Sequence, residues 1–151
     1  MLRIAIVFVV LWGALAGALA GPDQEGAVRD LYDRFAAAQN AHDVPAVRDL
    51  LLDSPRFLWV SNGMSYWGPE TMVERMATFQ RAEVWQVEPA LDQAVFVPVN
   101  ASAAYLHLPL TLVIGRAAAP DRLRFLVSML AVDTDAGWRI AALFTTTANP
   151  G

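Results

Sequence analysis

The chain has 151 residues, with eleven basic and fifteen acidic side chains and a formal net charge of −4 at pH 7. It contains no cysteine, which excludes disulfides, thiolate metal sites and a lipid anchor on cysteine. Every basic residue is arginine, so Schiff-base catalysis on lysine is also excluded, and the acidic balance argues against nucleic acid as a partner.

The first twenty residues have the pattern of an export signal. Arg3 precedes an apolar run that ends in Ala18-Leu19-Ala20, a small-residue cleavage site. The alternative is a retained membrane anchor, but the run is rich in Ala and Gly and shorter than the ~20 strongly apolar residues of a span. We therefore predict a cleaved signal peptide over residues 1–20, a short segment over 21–26 and a single domain over 27–149. The mature protein is expected to be periplasmic or secreted, without stable membrane insertion.

Three helical segments open the predicted domain. The first ends near Asn40, and Asp43 followed by Pro45 marks the start of the second. A short strand over 57–60 and a turn over 61–63 follow, and Gly68 with Pro69 starts the third helix. The apolar face of the first helix is predicted to consist of Val28, Leu31, Tyr32, Phe35 and Ala38.

Four long strands are predicted after the third helix. The first begins at Glu83 and closes on alternating valines at positions 95, 97 and 99, and the others cover 103–114, 123–132 and 138–146. Turns are predicted at 100–102, 115–121 and 135–137. Helices followed by consecutive strands joined by short turns predict an α+β domain with an antiparallel sheet.

Both faces of these strands are unusually apolar. The strand over 103–114 carries only apolar side chains on its even-numbered face, and its other face includes Tyr105, His107 and Pro109. An antiparallel sheet with one face in water alternates apolar and polar side chains more cleanly. We therefore predict that the helices cover one face and that a second copy of the chain covers the other, giving a homodimer.

The order of these elements resembles the nuclear transport factor two-like superfamily, in particular its SnoaL-like branch. The resemblance covers about residues 26–148 and rests on the Asp43 helix start, the Gly68-led third helix and the Gly137-Trp138 opening of the last strand. It implies a curved antiparallel sheet wrapped as a cone around three N-terminal helices, a pocket at the wide end and frequent dimers. It does not imply one reaction, because the superfamily includes isomerases, cyclases, dehydratases, epoxide hydrolases and members without catalysis.

The resemblance also allows one mechanism to be tested residue by residue. Its steroid-isomerase-like members use a tyrosine on the first helix and an aspartate on the first strand, and the positions that match are Phe35 and Trp59. Neither side chain can perform that chemistry. Tyr32, one turn earlier, is a possible substitute, with a core tyrosine as the alternative.

His107 is the candidate catalytic residue, because it lies within an apolar strand and shares a face with Tyr105. With a tyrosine or Ser128 as its partner, it would act as the general acid or base of a cofactor-free lyase or isomerase. The alternative is a core or interface histidine. Two separate histidines without cysteine make a zinc or iron site improbable, so no metal and no cofactor is predicted.

Aromatic side chains are the feature most suggestive of binding. Apolar pockets with a few polar groups are typical of small-ligand sites, so we predict binding of a small hydrophobic or aromatic molecule without catalysis. The alternatives are the His107 enzyme and a structural dimerisation or docking module with a filled cone. The predicted ligand-binding residues are Tyr32, Phe35, Trp59, Tyr66, Trp67, Ser128 and Phe144.

Overall fold

A computed structural model of the chain describes residues 22–149, so the predicted signal peptide over 1–20 lies outside the described residues. Within this part of the chain, no helix combines the length and the apolarity needed to cross a membrane. The helices are α1 (Pro22–Asn40), α2 (Val44–Leu50) and α3 (Pro69–Phe79).

The predicted helix starts are confirmed. Asp43 caps α2, and its carboxylate accepts a hydrogen bond from the backbone N–H of Ala46 at 3.0 Å. Gly68, with a φ of 77°, caps α3, and Pro69 is its first residue. The helix α1 begins at Pro22, so residues 22–26 form its first turns rather than a separate segment.

A seven-stranded sheet makes up most of the remainder of the described chain. Its order is β2-β1-β7-β6-β5-β3, and β4 also pairs with β5. The strands are β1 (Leu58–Ser61), β2 (Met64–Trp67), β3 (Val84–Pro89), β4 (Val95–Asn100), β5 (Ala103–Arg116), β6 (Ala119–Thr134) and β7 (Gly137–Thr147).

The sheet is mixed rather than wholly antiparallel as predicted. The strand β1 pairs in parallel with β7, from Leu58 opposite Ala142 to Ser61 opposite Thr145. The other strand pairs are antiparallel. The alternation of side chains along a strand is the same in both arrangements, so it carries no information about the direction of a distant partner.

The first of the predicted long strands is broken into β3 and β4. A 3-10 turn at Leu91–Gln93 separates them, and they pair with different halves of β5. Proline at position 89 has no N–H for a sheet ladder, and the next N–H, that of Ala90, bonds to the carbonyl of Pro109 at 3.0 Å. The turn predicted over 115–121 is shorter in the structure, because β5 and β6 pair as far as Arg116 and Ala119.

The helices pack on one face of the curved sheet and form the core there. The predicted apolar face of α1 is confirmed, because all five of its residues are buried. On the sheet side, the buried face of β5 is the even-numbered one, with Leu106 and Leu108 fully covered. We call this the inner face of the sheet and the opposite side the outer face. The three helices and the wrapped sheet form the predicted α+β cone.

The end of α1 closes the edge of the sheet at β3. Asn40 donates from Nδ2 to the carbonyl of Val87 at 2.9 Å and accepts the N–H of Val87 at 2.7 Å. Two residues along β3, the Nε2 of His42 lies 3.3 Å from the carbonyl of Trp85. These side chains take the place of a further strand, because they pair both backbone groups of Val87 and the carbonyl of Trp85.

Candidate functional site

A cavity of about 200 Å³ lies between the helices and the inner face of the sheet. Its walls are largely aliphatic and aromatic. They include Phe35 of α1, Met72 and Met76 of α3, and inner-face side chains of the long strands. The inner-face contributors are Leu110, Leu112, Ile114, Leu123, Phe125, Val127 and Leu143.

Few polar groups reach this cavity. The lining residues with polar side chains are Tyr32 and Gln39 on α1, Ser61 and Thr145 near the ends of β1 and β7, and Asn62 in the turn after β1. Thr145 accepts a hydrogen bond from the indole N–H of Trp59 at 3.3 Å. Among the residues that the structure describes, no carboxylate, imidazole or basic side chain lines the cavity.

Tyr32 is almost completely covered by protein, with 1% of its surface exposed. Burial raises the pKa of its phenol above the ordinary value of 10.0, because the phenolate would lose its hydration. The group therefore remains a neutral hydroxyl at physiological pH. It can donate or accept a hydrogen bond, but it is a poor proton-transfer group.

An aromatic pair forms the wall where α3 meets β3. Phe79 and Trp85 stack with ring centroids 5.7 Å apart and an interplanar angle of 7°. The guanidinium of Arg75 lies 4.4 Å from the Phe79 centroid, on the ring face. The indole N–H of Trp85 is buried without a hydrogen-bond partner among the described residues. Leu123 lines the cavity and is 44% exposed, so the cavity reaches solvent near it.

The structure divides the predicted site residues into two groups. Tyr32, Phe35 and Trp59 line the cavity. Tyr66 lies behind Trp59, with ring centroids 4.9 Å apart, and supports it rather than lining the space. The predicted roles of these residues in ligand binding stay predictions.

The other predicted residues do not belong to the cavity. Tyr105, His107 and Phe144 lie on the outer face, and so does Ser128. Trp67 pairs with Leu58, which faces outward beside Ala142, and is 57% exposed. None of these five residues lines the cavity, because successive side chains of a strand point to opposite faces and α1 packs on the other one. Their predicted roles, catalysis for His107 and Tyr105 and ligand binding for the other three, stay predictions.

His107 and Ser128 are opposite each other on β5 and β6, and the imidazole Nδ1 lies 2.9 Å from the serine Oγ. The side chain of His107 is exposed. Its neighbour across the other edge of β5 is Val95, so the pair lies within an apolar surface. In the described part of the chain no carboxylate hydrogen-bonds to this imidazole.

Several lining residues were missed from the sequence. Gln39 is seven residues after Tyr32 and four after Phe35, so helical spacing alone places it on the same face. Trp85 and Val87 alternate onto the inner face of β3, but no pattern in the sequence indicates which face that is. The two methionines of α3, Met72 and Met76, are one turn apart on the helix, but no signal in the sequence places them beside a cavity.

Comparison with known proteins agrees with this architecture. The model of the SnoaL-like domain family matches residues 28–143. Curated protein sequences give no match.

Solved structures show the same fold at low identity. An uncharacterized protein with a cystatin-like fold from Caulobacter vibrioides has a TM-score of 0.72 at 18% identity, and the alignment covers 85% of this chain and 92% of that one. A ketosteroid isomerase-like protein from Erwinia carotovora atroseptica has a TM-score of 0.69 at 15% identity, with coverage of 86% and 100%. A nuclear transport factor two-like protein of unknown function from Shewanella oneidensis has a TM-score of 0.69 at 14% identity, with coverage of 80% and 97%. The match over residues 28–143 shows that this chain belongs to the SnoaL-like domain family, and the solved structures show that it shares their fold.

Proposed function

We propose that this chain is an exported SnoaL-like domain that binds a small hydrophobic or aromatic molecule in its cavity and does no chemistry on it. The observation that carries the proposal is the apolar cavity of about 200 Å³ beneath α1 and α3. Protein interiors are close-packed, and a void of this kind costs stability when nothing occupies it. In another protein an apolar cavity of about 150 Å³ takes up benzene.

The lining supports binding over catalysis. General acid–base catalysis needs a group that exchanges protons near the working pH. The raised pKa of Tyr32 works against that role, and the described lining holds no carboxylate or imidazole.

The rival function is the cofactor-free lyase or isomerase that uses His107 with a tyrosine. His107 and Tyr105 are neighbours on the outer face, across the sheet from the cavity. Binding in the cavity therefore predicts that His107→Ala leaves ligand affinity unchanged. A fall in turnover of about a hundredfold or more on any candidate substrate would favour the enzyme instead.

Native mass spectrometry of the protein purified from its own host tests both export and ligand retention. The intact mass shows whether residues 1–20 are removed, and a further mass released on denaturation is the retained molecule. We expect a chain that begins at Gly21 with a neutral apolar compound. A chain that keeps Met1 would contradict cleavage of the signal peptide, and a consistently empty protein would weigh against binding.

Binding also has a direct test with naphthalene as the probe. Naphthalene should raise the melting temperature of the protein, because a ligand that binds only the folded state stabilises it. Leu110→Trp fills the cavity from β5 and should abolish that shift. Leu52→Trp, at a half-buried leucine outside the cavity, is the matched control and should retain it. A shift that survives Leu110→Trp would place the binding elsewhere.

The outer face supports a second proposal, a homodimer that forms through the sheet. The register aligns Val97, Tyr105 and Leu130 in one row across it, and Val95, His107 and Ser128 in the next. Monomers rarely expose so continuous an apolar surface. The exposed large side chains of this face include Val95, Val97, Tyr105, Leu126, Phe144 and, on β2, Trp67.

Light scattering coupled to size exclusion tests the dimer. A stable interface of at least ~1,000 Å² should give twice the mass of one chain at micromolar concentration. Phe144→Arg places a charge in this face and should yield monomers. Met64→Glu is the control, because Met64 is also highly exposed but lies opposite Ser61, on the inner side of β2. A wild-type monomer would contradict the proposal.

A further inference from the structure

The outer face of the sheet carries a histidine at the place where the proposed dimer would bury it. Resting on that dimer, we propose that His107 makes its assembly depend on pH, so that two chains associate when the imidazole is neutral and separate when it is protonated. His107 would then regulate the outer face and leave the cavity unaffected.

His107 lies within the apolar outer face rather than at its border. Its partners across the sheet are Val95 of β4 and Ser128 of β6. Along β5, the residues two positions away, which share its face, are Tyr105 and Pro109. A stable interface takes ~800 Å² from each partner, so one that is centred on this face covers the imidazole.

The neighbouring rows of side chains continue this apolar surface. On the side of Pro109, the next outward residue of β6 is Leu126. On the side of Tyr105, one row of uncharged side chains crosses the sheet from β2 to β4, and tyrosine ionises only in alkaline solution. That row consists of Trp67, Leu58, Ala142, Leu130, Tyr105 and Val97.

A single hydrogen bond holds the imidazole in place. Its Nδ1 lies 2.9 Å from Oγ of Ser128, a hydroxyl that can donate to a neutral ring nitrogen or accept from a protonated one. Among the described residues, His107 has no other side-chain hydrogen bond. Ser128 therefore orients the ring in both protonation states, but it cannot neutralise a positive charge.

The charged groups of the outer face are distant from the imidazole. Toward the β5–β6 hairpin, Glu88 of β3 is paired with Arg122, and Arg124 is the nearer arginine of β6. Arg124 is four residues from Ser128, about 13 Å along the strand. Toward the other end, Arg139 of β7 lies beside β6 at the same spacing from Ser128. Because salt screens charges beyond about 8 Å at physiological ionic strength, these groups have little influence on the imidazole.

The pH response follows from what the dimer would do to this environment. Histidine is the side chain whose charge ordinarily changes between about pH 5 and pH 8. In the single chain His107 is exposed, so its imidazolium is hydrated. Within an apolar contact the same ion would lose water without gaining a partner, which is costly. Association therefore requires a neutral imidazole on each chain, and protons separate the chains by mass action.

Sedimentation equilibrium of the mature protein from about pH 5.5 to about pH 8 measures the dissociation constant of the dimer across this range. Because each dimer contains two copies of His107, we expect the constant to be about 10- to 100-fold larger at the acid end. Circular dichroism at each pH checks that the chain stays folded.

Variants then assign the effect to one side chain. His107→Gln and His107→Leu are two neutral replacements of different polarity, and their dimers should be independent of pH over this range. His107→Arg carries a permanent charge and should be monomeric even at the alkaline end. The matched control is His42→Gln, because His42 is the second histidine of the chain and is exposed at the edge of the sheet. It should retain the wild-type pH dependence.

The outcomes separate this inference from the proposed dimer. A wild-type dimer whose dissociation constant does not change with pH would overturn the inference while the dimer stands. So would a pH dependence that survives in both neutral variants. A dimer that tightens in acid would also overturn it, because the imidazole would then meet a carboxylate across the interface. If the wild type is monomeric at the alkaline end as well, the proposed dimer fails, and this inference fails with it.

Discussion

At the scale of single residues, Tyr32 predicts how stability depends on alkaline pH. The folded protein keeps the phenol neutral above the ordinary pKa of 10.0, whereas the unfolded chain releases the proton there. Stability is therefore unaffected by this group below pH 10 and falls as the pH rises further, with a slope of up to ~1.4 kcal/mol per pH unit. Urea unfolding across the alkaline range should show that decline, and Tyr32→Phe should reduce its slope.

The composition makes this measurement unusually clean. The chain has no lysine and no cysteine, so tyrosine is its only side-chain type whose ordinary pKa in an unfolded chain lies between about 9 and 11. Tyr66→Phe is the matched control, because Tyr66 is only partly buried against the core. Equal alkaline slopes for the wild type and Tyr32→Phe would show that the phenol is better solvated than its burial indicates.

Individual residues were predictable from sequence where local chemistry decides their role. Asp43 was identified as a helix cap because its carboxylate pairs with an N–H three residues away, and no tertiary contact is required. Gln39 was missed because its role depends on what lies opposite α1, a space formed by strands far along the chain. Trp59 lines the cavity, and its bond to Thr145 depends on the parallel pairing of β1 and β7, which no local pattern indicates.

At the scale of secondary-structure elements, the Asn40 side chain attaches α1 to the edge strand β3. Asn40→Ala removes both hydrogen bonds to the backbone of Val87, a residue that is only 4% exposed. We expect the free energy of unfolding to fall by about 1–3 kcal/mol, the cost of unpaired buried backbone groups. Chemical denaturation monitored by tryptophan fluorescence measures this change.

A second asparagine provides the comparison. Asn100 is exposed, and its side chain accepts hydrogen bonds from Ser102 within the turn between β4 and β5. Asn100→Ala should cost at most ~1 kcal/mol, because water replaces the lost bonds. If the two variants were equally stable, the contact at Val87 would not determine how α1 is held.

The secondary-structure elements also show which features local sequence patterns predict and which they do not. The three helices were predicted because caps and helical spacing are local signals. The division of one long strand into β3 and β4 was not predicted, although Pro89 and the polar residues Asp92 and Gln93 lie at the break. That break allows one stretch of chain to follow both halves of the bent strand β5.

At the scale of the whole molecule, the two faces of the sheet have separate proposed roles. Leu143 lines the cavity, and the next residue, Phe144, lies on the outer face. The same alternation separates Leu110 from Pro109 on β5. The sequence contained both apolar faces, but only the packing of α1 determines which one is inside. For this reason the predicted site combined residues from both sides of the sheet.

This arrangement predicts that ligand binding and dimerisation are separable by mutation. Phe144→Arg should yield monomers while naphthalene still raises the melting temperature, and Leu110→Trp should remain dimeric without that response. Because a dimer is stabilised by its own concentration, the melting temperature of the wild type and of Leu110→Trp should rise with protein concentration, and that of Phe144→Arg should not. Calorimetric scans at several protein concentrations, with and without naphthalene, measure how the melting temperature depends on protein concentration and on the ligand. If Phe144→Arg abolished the naphthalene response in a folded monomer, the cavity would depend on the second subunit, and the sheet would couple the two faces rather than separate them.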